Sequence, residues 1–280
     1  MIIFKNIFTP LFIVIILFYN SCSFKPMQGN IIRITGSDTM LELTTNLAEE
    51  YMKEYPGTSI YIKGGGTGEG ISALIKNQAD ICTASRNLKP AEAKLLAEYY
   101  GSVGMVFLVA KDALSVYVSP NNTVKEISLI NLKKIFTGEI NNWKFVGGKD
   151  TTITTVIRNP NSGTYLYFKE HVLQGEEYSK NSVTEPTTKD ILKFVSDNDN
   201  AIGYGGMGFK GDIEQIKIDG IEPVETNVRN DSYPIIRYLH FFTTNNPGGA
   251  IKSFIDWTLS PAGQRIIRKS GFISLWEHRL

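Results

Sequence analysis

One stretch of the sequence decides both the fold and the candidate site: Ile157-Arg158-Asn159-Pro160-Asn161-Ser162-Gly163-Thr164-Tyr165. The residues before Arg158 are rich in β-branched side chains and predict a strand, which the Asn-Pro-Asn segment ends. Ser162 is a good N-cap residue, and apolar residues at helical spacing resume from Tyr165. The stretch therefore predicts a strand, a tight loop and a helix.

The start of this helix is suited to an anion. The first N–H groups of a helix have no partner within it, and the helix dipole places positive charge there. Gly163 lets the backbone approach closely, and Ser162 and Thr164 add hydroxyl donors. Arg158 adds a planar guanidinium that can bind two oxygens of one anion. These residues predict a site for a compact tetrahedral oxyanion, although a capped helix beside an unrelated arginine is the alternative.

Two earlier loops have the same character. Residues 36–39 follow a predicted strand and begin a predicted helix over 40–55, which Ser37 or Asp38 would cap. Residues 64–70 include five glycines between a strand and a helix, and they match neither nucleotide-binding fingerprint. Such a loop is either a phosphate cradle or a flexible connection, and we favour the cradle.

A fourth candidate is Ser85-Arg86, at the end of a strand predicted over 79–84. Strands alternate with helices along the chain, which predicts an α/β fold with mostly parallel or mixed sheets flanked by helices. Ligands bind at the carboxyl ends of strands in such sheets. The distribution of the four loops predicts two lobes that face one cleft.

The N-terminal residues 1–21 predict a secretory signal peptide, because their apolar run is short and follows a single lysine. Cys22 lies where a lipoprotein signal peptide is cut and its cysteine acylated, so 22–30 would form a lipidated tether. Tyr19-Asn20-Ser21 departs from the usual residues before such a cysteine. A plain secreted protein with an incidental cysteine is the alternative. The prediction is an extracytoplasmic protein anchored to the membrane through lipid.

Composition excludes several classes of function. The 280 residues carry 29 basic and 28 acidic side chains and no basic stripe, which argues against binding nucleic acid. The three histidines lack ligand spacing, so neither a metal nor a cofactor is predicted. Cys82 lies in an apolar run and is predicted to be a buried thiol. If Cys22 carries lipid, no disulfide within the chain is possible.

Six segments together resemble a known family, the substrate-binding proteins of the high-affinity phosphate ABC transporter. They occur in a compatible order and spacing and are residues 36–39, 64–68, 79–86, 135–143, 158–164 and 202–204. Each segment alone would be a weak signal, but the six-part pattern is specific and covers nearly all of residues 31–273.

The resemblance implies a two-lobed periplasmic-binding-protein fold of type II. Lobe I would comprise residues 31–114 and 241–280, and lobe II residues 115–240. Two segments, near 113–118 and 236–242, would cross between the lobes and allow hinge closure. The resemblance assigns the anion contacts to Ser37, Thr39, Thr67, Ser85, Arg158, Ser162, Gly163 and Thr164.

One position departs from the family. Its members carry an aspartate after the serine that Ser85 matches, and this chain has Arg86 there. The family aspartate accepts a hydrogen bond from the proton on phosphate and so rejects sulfate, which has no proton to give. Asp38 is our candidate replacement, unless it only caps its helix. Arg86 would either bind the anion or, as we favour, pair with a carboxylate such as Asp38 or Glu139.

The resemblance implies reversible capture of inorganic phosphate and delivery to an ABC permease by a monomeric protein that is not an enzyme. No nucleophile, general base or metal set accompanies the donors. Three alternatives stay open: a binding protein for sulfate, molybdate or a phosphonate; a surface lipoprotein or sensor that keeps the fold; and a phosphatase acting through Ser162 or Thr67. The last is disfavoured because neither residue has a base at a recognisable spacing.

Overall fold

The computed structural model describes residues 29–276. The predicted signal peptide, Cys22 and most of the predicted tether lie outside the described residues. None of the helices within 29–276 combines the length and the apolar character needed to cross a bilayer.

Strands and helices alternate along the chain as predicted. The strands are β1 Asn30–Gly36, β2 Thr58–Lys63, β3 Ile81–Ala84, β4 Met105–Val118, β5 Glu126–Ile127, β6 Thr154–Arg158, β7 Val183–Glu185, β8 Ala201–Gly206, β9 Glu214–Ile218 and β10 Ile236–Thr243. The α-helices are α1 Leu41–Glu54, α2 Thr67–Ile75, α3 Pro90–Tyr100, α4 Leu129–Thr137, α5 Gly163–His171, α6 Thr188–Asp197, α7 Glu225–Arg229, α8 Gly249–Leu259 and α9 Pro261–Lys269. Short 3₁₀ turns at Asp38–Met40 and Trp143–Val146 precede α1 and follow α4.

The described strands form one connected mixed sheet in the order β2-β1-β3-β10-β4-β8-β6-β7, with β9 also on β4 and β5 on β9. On one side β1, β2 and β3 are parallel, and on the other β6, β7 and β8 are parallel. The antiparallel strands β4 and β10 connect the two sides. This arrangement confirms the predicted α/β class.

Two separate cores lie on either side of β4 and β10. The first packs α1, α8 and α9 on the β1 side around Leu47, Phe241 and Phe254. The second is aromatic: Phe168 stacks on Tyr204 with ring centroids 3.9 Å apart. Truncating such a buried phenylalanine to alanine typically costs about 3–5 kcal/mol. Each side therefore has apolar packing of its own, as a two-lobed protein requires.

The strand β4 corrects one prediction. The sequence predicts two apolar strands, over 103–110 and 114–118, split by Lys111-Asp112, but β4 runs without interruption from Met105 to Val118. Its pairing with β10 extends to Ala113, and its pairing with β8 begins at Leu114. The chain therefore passes from one side to the other within a single strand, and Asp112 lies at that passage.

Other expectations at the residue level had mixed outcomes. Cys82 is a buried free thiol on β3, as predicted, and burial raises its pKa. Ser37 makes no side-chain hydrogen bond as an N-cap, so the predicted cap on the first helix is wrong. The Ser162 cap is confirmed, since Ser162 Oγ accepts from the N–H groups of Thr164 and Tyr165.

Candidate functional site

The four predicted loops meet at one place between the two sides of the molecule. Thr39 Oγ1, from the first loop, lies 3.0 Å from Thr164 Oγ1 at the start of α5. Gly163 rests against Thr67 and Ser85, so closely that a Cβ at Gly163 would lie 2.5 Å from Ser85 Oγ and overlap Thr67 Oγ1. The expectation that these loops face one cleft is therefore confirmed.

Backbone contacts hold the glycine loop against the α5 loop. The N–H of Gly68 donates to the carbonyl of Asn161 at 3.2 Å, and a Cβ at Gly66 would lie 2.8 Å from the same oxygen. Gly66 also has a φ of +95°, a backbone conformation that favours glycine. The glycine run thus serves close approach of two backbones, and α2 already begins at Thr67 within the predicted loop.

Arg158 is the buried cation of the site. It ends β6, is 1% exposed, and donates from Nη2 to Asp38 Oδ2 at 2.8 Å. Its Nε and Nη1 donate to the carbonyl of Pro186 at 3.0 Å and to Thr188 Oγ1 at 3.2 Å. Burial lowers the pKa of Arg158, and the neighbouring Asp38 opposes that shift. The guanidinium is thus held in one orientation at the end of a strand.

Asp38 lies inside the site and does not cap its helix. Its Oδ2 accepts from Arg158, and its Oδ1 accepts from the N–H of Gly65 at 2.8 Å. The alternative in which Asp38 only caps a helix is therefore wrong. A carboxylate with two oxygens has about four lone-pair sites, so Asp38 can accept a further hydrogen bond.

The hydroxyl groups are oriented as donors. Thr67 Oγ1 accepts from the N–H of Ser85 at 3.2 Å, and Ser162 Oγ accepts from the N–H of Thr164 at 3.2 Å. Each hydroxyl therefore keeps its proton available to donate. Ser85 Oγ is buried without a hydrogen-bond partner among the described residues, an unusual state for a polar atom. Such a set suits a ligand that presents acceptors.

Ser37 and Arg86 differ in their relation to this cluster. Ser37 is buried at the end of β1, where its N–H donates to the carbonyl of Thr83 at 2.9 Å. The Arg86 guanidinium is bonded outside the cluster, since its Nη1 and Nη2 donate to Glu92 at 2.8 and 2.7 Å. The pairing role favoured for Arg86 is confirmed, but the suggested partners, Asp38 and Glu139, are wrong. Glu92 is only six residues away, at the start of α3.

Sequence reasoning missed Arg237 and Asp112, a second buried ion pair beside the cluster. Arg237 Nη2 lies 2.8 Å from Asp112 Oδ2, and Arg237 Nη1 donates to Thr164 Oγ1 at 2.8 Å. A signal was present, because each is a charged residue inside a strand of mostly apolar residues. Charged side chains are almost never buried unless they are paired.

Two grooves lie beside the cluster. Thr39 lines a groove of about 570 Å³ together with residues of α6 and α9. Arg237 and Arg86 line another, of about 360 Å³, together with residues of α5. The first groove thus reaches a donor of the cluster, and the second reaches the arginine that bonds to Thr164.

Comparison with known proteins agrees with this arrangement. Residues 25–262 match the PBP superfamily domain, the class of binding protein that the two-sided fold and its cleft define. The chain is 33% identical to the phosphate-binding protein PstS of Bacillus subtilis (strain 168), over 89% of this chain and 82% of that protein. It is 29% identical to PstS of Pseudomonas aeruginosa, over 89% and 84%.

Solved structures agree as well. A phosphate ABC transporter substrate-binding protein from Clostridium perfringens, solved with bound phosphate, superposes with a TM-score of 0.83 at 34% identity, covering 88% of this chain and 100% of that one. An ABC-type phosphate transport receptor from Vibrio cholerae superposes with a TM-score of 0.73 at 27% identity, covering 86% and 99%. The chain therefore belongs to the family of the phosphate-binding protein PstS.

Proposed function

We propose that this protein captures inorganic phosphate in the cleft between its two sides and delivers it to the permease of an ABC transporter. The observation that carries the proposal is the convergence of four loops whose hydroxyls and helix starts all present donors beside Arg158. Phosphate offers four oxygens that accept hydrogen bonds, so it matches such a set. The role is reversible binding and not catalysis, because the chain belongs to a family of substrate-binding transport proteins.

The proposed contacts come from both sides of the cleft. Ser37, Thr39, Thr67 and Ser85 would donate from the first side, and Ser162 and Gly163 from the start of α5. Thr164 would lie beside the ligand there, and Arg158 would pair its charge. A direct contact between Arg86 and the anion stays a prediction. Because Arg86 donates two hydrogen bonds to Glu92, we expect such a contact to contribute little to binding.

Asp38 would select phosphate over sulfate. It already accepts two hydrogen bonds and can accept a third, from the proton that phosphate carries at neutral pH. Sulfate carries no such proton and would meet a carboxylate that repels it. A site built around one such bond can reject an analogue that lacks it by roughly 10⁴-fold.

The place of the protein in the cell is part of the proposal. Cleavage before Cys22 and acylation of that cysteine would hold a monomer on the extracytoplasmic face of the membrane. The boundaries of the lobes, 31–114 with 241–280 and 115–240, are proposed with it. Release of the signal peptide and incorporation of labelled fatty acid at Cys22, both lost in Cys22→Ala, would test the anchor.

Isothermal calorimetry on the purified protein tests the function directly. We expect about one phosphate per chain with micromolar or tighter affinity, and little competition from sulfate. Arg158→Met should remove the binding, because it removes the buried cation and leaves the partly buried Asp38 carboxylate to repel the anion. The matched control is Arg33→Met, which breaks the doubly bonded Arg33–Asp80 pair outside the cleft and should keep phosphate affinity. Absence of heat with phosphate would refute the proposal.

A further inference from the structure

Arg237 connects the two crossing strands to the loop at the start of α5. Arg237 on β10 and Asp112 on β4 are partners in the strand register, and they are 2% and 0% exposed. Nε and Nη2 of Arg237 both donate to Asp112 Oδ2, at 2.9 and 2.8 Å. The remaining nitrogen, Nη1, donates to Thr164 Oγ1 at 2.8 Å. One side chain thus spans the hinge and the candidate site.

The stability of the β4–β10 pairing does not explain why an ion pair is buried at this position. Desolvation offsets most of the attraction between two buried charges, so apolar residues of the same volume are often as stable. Asp112 is also imperfectly satisfied, since its Oδ1 has no hydrogen-bond partner among the described residues. Burial raises the pKa of Asp112 in spite of Arg237. We therefore look for the role of the pair in the cleft, where Arg237 donates to Thr164.

The direction of the hydrogen bonds follows from the chemistry of the guanidinium. Arginine can only donate, so Thr164 Oγ1 must accept from Arg237. The proton of Thr164 is then free to donate to Thr39 Oγ1, 3.0 Å away. Thr39 in turn keeps its own proton for a further acceptor. The charge of Arg237 thus directs the Thr164 proton to Thr39 and leaves the Thr39 proton for an anion.

The same contacts depend on closure of the cleft. Thr164 begins α5 on one side, Thr39 precedes α1 on the other, and Arg237 lies on the strand between them. Opening of the cleft would separate Thr39 from Thr164, whereas Arg237 would stay on Asp112. The chain of donors is therefore complete in the closed arrangement, where the ligand is held.

We propose that Arg237 is a positioning residue for phosphate: anchored on Asp112, it orients the Thr164 hydroxyl towards Thr39, so that the Thr39 hydroxyl is left as the donor to phosphate in the closed cleft. The inference rests on the proposed function. It adds a positioning residue that acts on the ligand only through other residues, at a position outside the six segments that carry the family resemblance.

A double-mutant cycle on phosphate affinity tests the inference. Arg237→Met keeps the length of the side chain without its donors, and Thr164→Val keeps the shape of threonine without its hydroxyl. Each should weaken phosphate binding by about tenfold to a hundredfold, as expected for the loss of a hydrogen bond to a charged group. In the Thr164→Val background, Arg237→Met should weaken binding by less than about threefold further, because both changes remove the same interaction.

The matched control is Lys111→Met, next to Asp112 on the same strand. It breaks the Lys111–Asp231 pair and should lower the unfolding temperature without changing phosphate affinity. If Arg237→Met does not fold, Arg237→Lys replaces it in the cycle, since lysine lacks the planar fork that reaches Asp112 through two nitrogens and Thr164 through the third.

The outcomes separate the two proposals. A wild-type protein that binds no phosphate refutes the proposed function, and the positioning role with it. If the wild type binds phosphate but Arg237→Met or Arg237→Lys retains its affinity within about twofold, the function stands and the positioning role is wrong. Full additivity with Thr164→Val also contradicts the positioning role.

Discussion

At the scale of single residues, the carboxylate of Asp38 joins the two sides of the cleft. It accepts from Gly65 N–H on its own side and from Arg158 across the cleft, both at 2.8 Å. The first contact holds the glycine loop and the second holds the cation. Asp38 therefore sets the position of both neighbours as well as the charge that a ligand meets.

Asp38→Asn should reduce the preference for phosphate over sulfate. The amide has nearly the shape of the carboxylate, but it carries no charge to repel sulfate and has one acceptor oxygen in place of two. We expect the ratio of phosphate to sulfate affinity to fall about tenfold to a hundredfold, measured by calorimetry with each anion. Asp80→Asn, in the Arg33–Asp80 pair outside the cleft, is the control and should leave the ratio unchanged. An unchanged ratio in Asp38→Asn would assign selectivity to another group.

Residues were predictable from the sequence to the extent that their role is local. A donor site was predictable at Ser162, Gly163 and Thr164, because a strand end, an N-cap and a helix start lie within one short segment. The partner of a buried charge can lie anywhere in the chain. Arg237 and Asp112 are 125 residues apart, and Asp38 and Arg158 are 120 apart. Only the folded chain shows which carboxylate each guanidinium meets.

At the scale of elements, the first turn of α5 is the most restricted part of the site. Gly163 begins the helix and contacts Thr67 and Ser85 from the opposite side. Helix α5 therefore approaches α2 and β3 at a point where no side chain fits. The closed cleft therefore depends on the absence of a side chain at Gly163.

Gly163→Ala should weaken phosphate binding without unfolding either side. The added Cβ would lie 2.5 Å from Ser85 Oγ and would hold the cleft partly open. We expect a loss of about a hundredfold or more in phosphate affinity, with small-angle scattering showing that phosphate no longer compacts the protein. Gly248→Ala is the control, because a Cβ at Gly248 meets nothing within 4 Å, and both properties should be retained. Wild-type affinity in Gly163→Ala would mean that the two loops separate more than the structure implies.

Long, strongly patterned elements were predicted well, and short or unusual ones were not. The sequence predicts helices over 40–55, 90–100 and 249–259, and the observed α1, α3 and α8 agree with these ranges within two residues. Strands β5 and β7 have two and three residues, too few for a pattern. The sequence predicts a break in β4 at Lys111-Asp112 because charged residues usually lie at a surface. Asp112 is instead fully buried and paired with Arg237.

At the scale of the whole molecule, the two crossing strands connect two independent cores and one shared cleft. The change of partner between Ala113 and Leu114 on β4 places the hinge beside the ion pair of Arg237 and Asp112. In the proposed closure, the two sides would rotate about this passage while each keeps its own apolar packing. Loops that supply donors would then move with their own side and come together as the cleft closes.

The stability of the protein should fall in mild acid because of His240. This residue lies on β10 opposite Ala84, is 5% exposed, and stacks on Phe242 with ring centroids 5.6 Å apart. Burial lowers the pKa of His240 to about 4 from its ordinary 6.5. Between these values the unfolded chain binds a proton that the folded chain does not, so the free energy of unfolding rises with pH.

The contribution of His240 should be fully present above about pH 6.5 and lost as the pH falls towards 4, with an upper limit of about 3 kcal/mol. Urea unfolding across this range, in buffers without phosphate, measures the effect. His240→Gln has no imidazole to protonate, so its unfolding free energy should depend less steeply on pH than that of the wild type. Carboxylates titrate in both proteins and cancel in the difference. Parallel curves for the two proteins would show that the buried imidazole does not set the acid limit of the fold.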